Sequence, residues 1–282
     1  MGNTRALFAT TTTVITAAIT IVACGSDKAK TPDAPVVLID APIDTPAVDA
    51  APDAPTFDFS CMGNSAPSVN ANVTVSGAVE EIGFSGGSPT IAPLAGADVN
   101  LCKGNCTGGG NNLGSGTTDG SGNFSIGPVA TSGTAIDGYA RVTHTGDRTV
   151  LGFPAAPVAM DVTQPIITFQ SALIDTYGAA FGCAQTADKG MVALLVTDCM
   201  SNPISDSANL TVSVQQGGSD VGDTPINAGQ LSSMAAGFWM ICNVPAGTAT
   251  TVSAKYMNTT LLAHDVVVTA GTTTETIVRP GY

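Results

Sequence analysis

Two stretches of the sequence share one pattern: Gly122-Asn-Phe-Ser-Ile-Gly-Pro-Val129 and Gly237-Phe-Trp-Met-Ile-Cys-Asn-Val244. Glycine, an aromatic residue, isoleucine and valine recur in both at identical spacing. In the first copy, apolar Phe124 and Ile126 are separated by a small polar residue, which is typical of a half-buried β-strand. Self-similarity over about 100 residues predicts two domains built on one plan.

Further strands are predicted around each copy. Val73, Val75 and Val79 alternate with small or polar residues and predict the first of them. The other predicted strands are 99–101, 139–142 and 166–169 in the first half, and 191–196, 210–214, 252–256 and 266–272 in the second. The predicted fold class is therefore all-β, with two tandem seven-stranded β-sandwiches.

The two sets of strands are separated by a segment with a different periodicity. Leu173, Ile174, Tyr177 and Phe181 recur at helical spacing, although Gly178 weakens a helix. The sequence thus predicts a short helical connector at 171–187. The sandwich domains are assigned to 61–170 and 188–282.

Short motifs in both halves resemble the carboxypeptidase regulatory-like family. The first half carries Pro93-Leu-Ala-Gly-Ala-Asp-Val99 and Thr118-Asp-Gly-Ser-Gly-Asn-Phe124, and the second carries Asn243-Val-Pro-Ala-Gly247. The second half departs from the family pattern at Pro203–Ala208, which replaces the expected Pro-Leu-Ala-Gly-Ala. The resemblance implies a transthyretin-like or Ig-like sandwich, and domains that act mostly as rigid adapters or adhesive modules.

The N-terminus has the features of a targeting signal. Arg5 gives it a positive start, and residues 6–23 carry no charge. The following Ile21-Val-Ala-Cys24 resembles the lipobox of bacterial lipoproteins, whose cysteine thiolate accepts a diacylglyceryl group before cleavage. The resemblance implies a signal peptide at 1–23, acylation of Cys24 and a lipid anchor in the cell envelope, with Gly25 favouring the outer membrane. An ordinary secretory signal with a chance cysteine is the alternative.

Residues 24–60 are predicted to form a disordered tether. From Thr31 the chain repeats Asp-Ala-Pro in degenerate form, and seven aspartates are opposed only by Lys28 and Lys30. Proline removes backbone donors and like charges repel, so no packed structure is expected. The segment should act as a spacer between the membrane and the folded body.

The charge of the chain excludes some partners. Its net charge is −13, and its nine lysines and arginines do not cluster. A patch that neutralises phosphates is therefore not expected, which excludes nucleic acid and direct binding to anionic headgroups.

Six cysteines remain after Cys24. They are Cys61, Cys102, Cys106, Cys183, Cys199 and Cys242. An even number in an oxidising compartment suggests three disulfides, among fifteen possible connectivities. We expect Cys102 to pair with Cys106 across a hairpin tip, and Cys199 with Cys242, which leaves Cys61 and Cys183 as a possible staple between the domains. Zinc binding by these thiols is the alternative.

The candidate catalytic and ligand-binding residues are few. The two histidines are His144, close to Asp147, and His264, beside Asp265. No nucleophile elbow accompanies them, so the sequence predicts no enzyme.

Two further motifs are interpreted as structural. The oxygen-rich stretch 119–123 resembles a calcium loop but lacks its final glutamate, so we interpret it as a tight turn. Phe124 and Trp239 occupy matching positions of the repeat and are predicted to be core residues. The sequence predicts neither a cofactor nor a metal site.

Together these observations predict a lipid-anchored, non-enzymatic adhesive or scaffold module that acts on a protein or glycan partner. A glycan-binding lipoprotein that serves a polysaccharide system is the alternative, and a stacked aromatic pair on an exposed face would mark it. A cryptic hydrolase is a third hypothesis, marked by a histidine in a pocket with a carboxylate.

Overall fold

The apolar alternation folds into two sets of β-strands in a computed structural model, which describes residues 56–85, 88–104, 106, 111–230 and 235–281. The predicted signal peptide, Cys24 and the tether as far as residue 55 lie outside the described residues. The strands of the first half are β1 (Asn72–Ser85), β2 (Ser88–Pro93), β3 (Asp98–Cys102), β4 (Asn112–Thr117), β5 (Asn123–Ala130), β6 (Tyr139–Thr143), β7 (Val150–Phe153), β8 (Val162–Thr163) and β9 (Ile166–Phe169). Those of the second half are β10 (Lys189–Val196), β11 (Leu210–Gln216), β12 (Ser219–Asp220), β13 (Ile226–Asn227), β14 (Phe238–Pro245), β15 (Ala249–Tyr256), β16 (Thr259–Thr260), β17 (His264–Val267) and β18 (Thr273–Val278).

These strands form three sheets. The N-terminal sheet has the order β2-β1-β5, and β8 and β9 run parallel to β1 beside it. The central sheet has eight strands in the order β13-β14-β10-β18-β7-β6-β3-β4. The C-terminal sheet has the order β12-β11-β15-β16, with β17 also paired to β15. The prediction of an all-β sandwich fold is confirmed.

The core lies on both faces of the central sheet, because side chains alternate along each strand. In the first half, Val99 and Val142 of the central sheet pack with Val73 and Val79 of the N-terminal sheet. In the second half, buried residues of β10 such as Leu194 pack instead against the C-terminal sheet. The two outer sheets therefore cover opposite faces of the central one.

The helical connector covers the part of the central sheet that the N-terminal sheet leaves open. Helix α1 spans Ser171–Tyr177, and a 3-10 helix follows at Gly178–Phe181. Ile174 of α1 packs with Met191 and Ala193 of β10 and with Phe238 of β14. Strand β14 is buried on both faces for this reason, whereas Asn123 of the equivalent β5 is exposed.

The halves of the described body share one continuous sheet. Strand β18 pairs in parallel with β10 of its own half and with β7 of the first half. The chain from residue 56 onward forms one compact unit. The assignment of 61–170 and 188–282 as two separate domains therefore remains a prediction.

The repeat seen in the sequence corresponds to one structural motif formed twice. Gly122 and Gly237 both have a left-handed backbone, with φ of +78° and +74°. The carbonyl of each accepts a hydrogen bond from the first strand of its half, from the N–H of Val79 at 2.8 Å and of Val196 at 2.9 Å. The pairing of β1 with β5 and of β10 with β14 also shifts register near the same point of each first strand.

Alanine at either repeat glycine should destabilise the protein. A Cβ at Gly122 would lie 2.6 Å from the carbonyl oxygen of Val79, and one at Gly237 would lie 2.8 Å from the Cβ of Pro203. Strain at positive φ together with overpacking should lower the free energy of unfolding by about 2–4 kcal/mol. Urea denaturation measures the loss. Gly120→Ala is the matched control, because no described heavy atom outside Gly120 and its two chain neighbours lies within 4 Å of its Cβ position. An equal loss there would contradict the explanation.

Three disulfides use all six predicted cysteines. Cys102 pairs with Cys106 as predicted, and the Cα–Cα distance is 5.4 Å. The predicted Cys199–Cys242 pair and the Cys61–Cys183 staple are wrong, because Cys61 pairs with Cys199 and Cys183 with Cys242. The physical reason is strand alternation: Ile241 faces the C-terminal sheet, so its neighbour Cys242 faces the connector, where Cys183 lies.

The folded body begins before the predicted boundary at Cys61. Phe57 and Phe59 lie against Tyr256 of β15, with ring centroids 5.3 and 5.8 Å away. The carbonyl of Asp58 accepts a 2.8 Å hydrogen bond from the N–H of Cys199. The end of the predicted tether is thus fixed to the second half before the chain returns to form β1.

Candidate functional site

Three ionisable side chains lie close together at one edge of the first half. Glu81 lies on β1, His144 directly follows β6, and Asp147 lies in the turn before β7. The Nδ1 of His144 is 3.0 Å from the Oδ2 of Asp147. One ligand atom from each of the three residues lies within 4.8 Å of the others. The sequence places His144 close to Asp147 but gives no sign of Glu81, which the pairing of β1 with β9 brings to this edge.

A fourth residue orients the cluster. The side-chain amide of Gln170 donates a hydrogen bond to Oε1 of Glu81. The backbone of Gln170 also forms an isolated antiparallel bridge with Asp147. Gln170 immediately precedes α1, so the cluster joins the N-terminal sheet, the turn after β6 and the start of the connector. Nothing in the sequence distinguished this glutamine from a surface residue.

The electrostatics of the cluster centre on Asp147. Its side chain is only 3% exposed. Burial raises the pKa of the Asp147 carboxyl above its ordinary value; the hydrogen bond from His144 opposes this, and the nearby charge of Glu81 adds to it. Two carboxylates therefore share this site with one imidazole.

The hydrolase hypothesis requires a nucleophile beside a histidine. Among the described residues, the side-chain hydrogen bond of His144 goes to a carboxylate and not to a hydroxyl or thiol. The Nε2 of His264 lies 2.6 Å from Oγ1 of Thr276. Burial lowers the pKa of His264, and a backbone hydrogen bond with Leu262 opposes this shift. Neither arrangement supplies an activated nucleophile with an orienting carboxylate.

The stretch 119–123 forms a tight turn in the structure. Oδ1 of Asp119 accepts hydrogen bonds from the N–H groups of Asn123 and Ser121, each at 2.8 Å. These two hydrogen bonds lower the pKa of Asp119, and the bond from Asn123 contributes more than the bond from Ser121. The carboxylate of Asp119 therefore stabilises the turn that contains Gly122 and leads into β5.

No aromatic side chain is exposed among those the structure describes. Phe124 is buried as predicted, and Trp239 is partly buried against the core. The stacked pair of Phe59 and Tyr256 is an internal contact, because Tyr256 is buried. The described surface therefore lacks the exposed stacked pair expected of a glycan-binding face.

A groove of about 610 Å³ lies where the two halves meet. The proline-rich stretch 154–165 forms one wall, and Leu195, Thr197, Ile277 and Arg279 of the second half form part of the other. A smaller cavity of about 30 Å³ lies inside the core of the first half. Neither histidine lines either cavity. Among the described residues, no helix is long and apolar enough to span a membrane.

Comparisons with known proteins give distant similarities only. No known protein family and no curated protein matches the chain. Among solved structures, a mutant of the shaft pilin SpaA from Lactobacillus rhamnosus GG is 11% identical over 75% of this chain and 98% of its own, with a TM-score of 0.22. The Bacillus anthracis TIE protein is 12% identical over 74% of this chain and 34% of its own, with a TM-score of 0.22. A variant of BcpA, the major pilin subunit of Bacillus cereus, is 12% identical over 74% of this chain and 69% of its own, with a TM-score of 0.24. Superpositions this loose establish no common function.

Proposed function

We propose that the chain is a lipid-anchored, non-enzymatic adhesive or scaffold module of the cell envelope. The continuous central sheet is the observation that carries this proposal. Parallel pairing of β18 with β7 joins the two halves through their backbones. A module that transmits force or spaces partners needs such a rigid connection, whereas a hinged pair of domains lacks it.

The disulfides support the same function. The Cys61–Cys199 disulfide closes a separation of 138 residues and Cys183–Cys242 one of 59. Cross-links of this span restrict the unfolded chain and suit a protein exposed to an oxidising environment. Neither described histidine site combines an activated nucleophile with an orienting carboxylate, which favours a binding role over hydrolysis.

Lipidation at Cys24 is the part of the proposal with the simplest test. Cys24→Ala removes the thiol that accepts the diacylglyceryl group, so acyl labelling should disappear and the protein should leave the membrane fraction. Radiolabelled fatty acid and cell fractionation measure the two effects. Ser26→Ala is the matched control and should remain labelled. Retention of the Cys24→Ala protein in membranes would contradict the lipid anchor.

The binding role has its own test in cells. Cells that lack the protein should lose attachment to a surface or partner cell, and the secreted Cys24→Ala form should not restore it. Purified full-length protein should show no turnover on ester, amide or glycoside substrates. Turnover that His144→Ala abolishes would replace this proposal with the hydrolase hypothesis.

A further inference from the structure

We propose that Glu81, His144 and Asp147 bind a divalent transition-metal ion, and that this ion is zinc. The three side chains come from separate segments, yet one ligand atom of each lies within 4.8 Å of the others. Around a tetrahedral zinc with bonds of about 2.1 Å, neighbouring donors are about 3.4 Å apart. The 3.0 Å separation of His144 and Asp147 is already close to that value, and the ligand atom of Glu81 lies within 4.8 Å of both.

The donor set selects the class of metal. One imidazole nitrogen and two carboxylates suit zinc and similar first-row ions. Calcium prefers six to eight oxygen ligands, which these three residues do not supply. Three protein ligands leave the remaining position of a tetrahedral zinc to water.

The charges of the cluster also favour a dication. The side chain of Asp147 is almost fully buried near a second carboxylate, and its Oδ2 lies 3.0 Å from the Nδ1 of His144. Glu81 forms no salt bridge within the described part of the chain. A divalent ion would compensate both carboxylates at once, and an imidazole nitrogen is a common ligand of such ions.

The surroundings hold the ligands as a metal site requires. The amide of Gln170 donates to one oxygen of Glu81, and the backbone of Gln170 bridges to Asp147. Such outer contacts fix the direction of ligating carboxylates. A bound ion would clamp β1 to the turn after β6, at the start of the connector between the two halves.

Thermal unfolding of the EDTA-treated full chain tests the site. Zinc at 100 times its dissociation constant should raise the melting temperature by about 5–10 °C. Glu81→Gln and His144→Gln should each abolish the rise, and so should Asp147→Asn if that variant folds. Elemental analysis after dialysis should find about one zinc per chain, and less in the variants.

Glu80→Gln is the matched control, because Glu80 is the exposed neighbour of Glu81 on β1. It should retain the full zinc response. An unchanged melting temperature with no zinc retained by the wild-type chain would overturn the proposal. Equal responses of the Glu81→Gln and wild-type proteins would also overturn it, since zinc would then bind elsewhere. Stabilisation by calcium and not zinc would overturn the assignment of the metal.

Discussion

Glu275→Gln should raise the free energy of unfolding by about 5 kcal/mol at pH 9 and change it little at pH 4. Glu275 lies on β18 in the middle of the central sheet, where burial raises its pKa from 4.5 to about 8. The gap between these values, at about 1.4 kcal/mol per pH unit, sets the size of the effect. The N–H of Ile167 donates to the side chain at 2.9 Å, and a glutamine oxygen can accept the same bond.

The direction of the pH dependence follows from proton binding. Between pH 4.5 and about 8, the folded protein keeps a proton on Glu275 that the unfolded chain has lost. This group therefore makes stability fall as the pH rises through that window. Glutamine has no proton to lose, so its variant should show a flatter profile. Chemical denaturation at pH 4, 6, 8 and 9 measures both curves.

Glu80→Gln serves as the control for this prediction as well, because it removes the same charge from an exposed position. It should not reproduce the gain at pH 9. Parallel pH profiles for Glu275→Gln and the wild type would show that Glu275 is ionised in the folded protein without cost, and would contradict the prediction.

Loss of the Cys61–Cys199 disulfide should produce the second large effect. Alanine at both positions opens a cross-link with a sequence separation of 138. The chain-entropy relation gives a loss of about 5 kcal/mol for a loop of that size. Phe57 and Phe59, which lie against Tyr256 next to this disulfide, should also become accessible to proteases. Urea denaturation measures the stability, and limited proteolysis measures the release of the segment.

The Cys102–Cys106 pair provides the comparison. Its separation is 4 residues, and the same relation gives about 2 kcal/mol when both cysteines become alanine. The free energy of unfolding should therefore fall more when the Cys61–Cys199 disulfide is removed than when the Cys102–Cys106 disulfide is removed. Equal losses would mean that local packing, and not the restriction of the unfolded chain, sets the contribution of these disulfides.

The sequence predicted the strands that alternate and the motif that repeats. Val73, Val75 and Val79 all proved to be buried, and Gly122 and Gly237 occupy the same position in their halves. These predictions succeeded because a half-buried strand imposes a period of two on its own residues, so the signal is local.

The sequence did not predict strand β18, because this strand is buried by its position in the sheet and not by an apolar alternation of its own residues. Thr273, Thr274, Glu275 and Thr276 read as polar, yet all four are buried. The strand lies between β10 and β7 and is covered on both faces, so its burial depends on strands elsewhere in the chain. The carboxyl of Glu275, for example, accepts a hydrogen bond from the N–H of Ile167, which is 108 residues away in sequence. Partners of this kind leave no pattern in the strand itself.

The cluster around His144 could be predicted only in part. The spacing of His144 and Asp147 is local, whereas Glu81 reaches them through the parallel pairing of β1 with β9. The disulfide connectivity was wrong for a similar reason: the direction of Cys242 depends on which face of β14 the connector covers. Both errors concern contacts between distant segments, which a single sequence does not encode visibly.

The Cys61–Cys199 disulfide gives the body a particular mechanical layout. In the proposed anchored form, tension from the membrane first reaches the segment 57–59, which lies against the second half, and divides at Cys61 into two covalent routes. One route follows the chain toward β1, and the other crosses the disulfide to Cys199, which lies shortly after the end of β10. A partner held anywhere between these cysteines is thus connected to the anchor from both sides. Extension of one route cannot lengthen the whole, since the other remains at its folded length and carries the load.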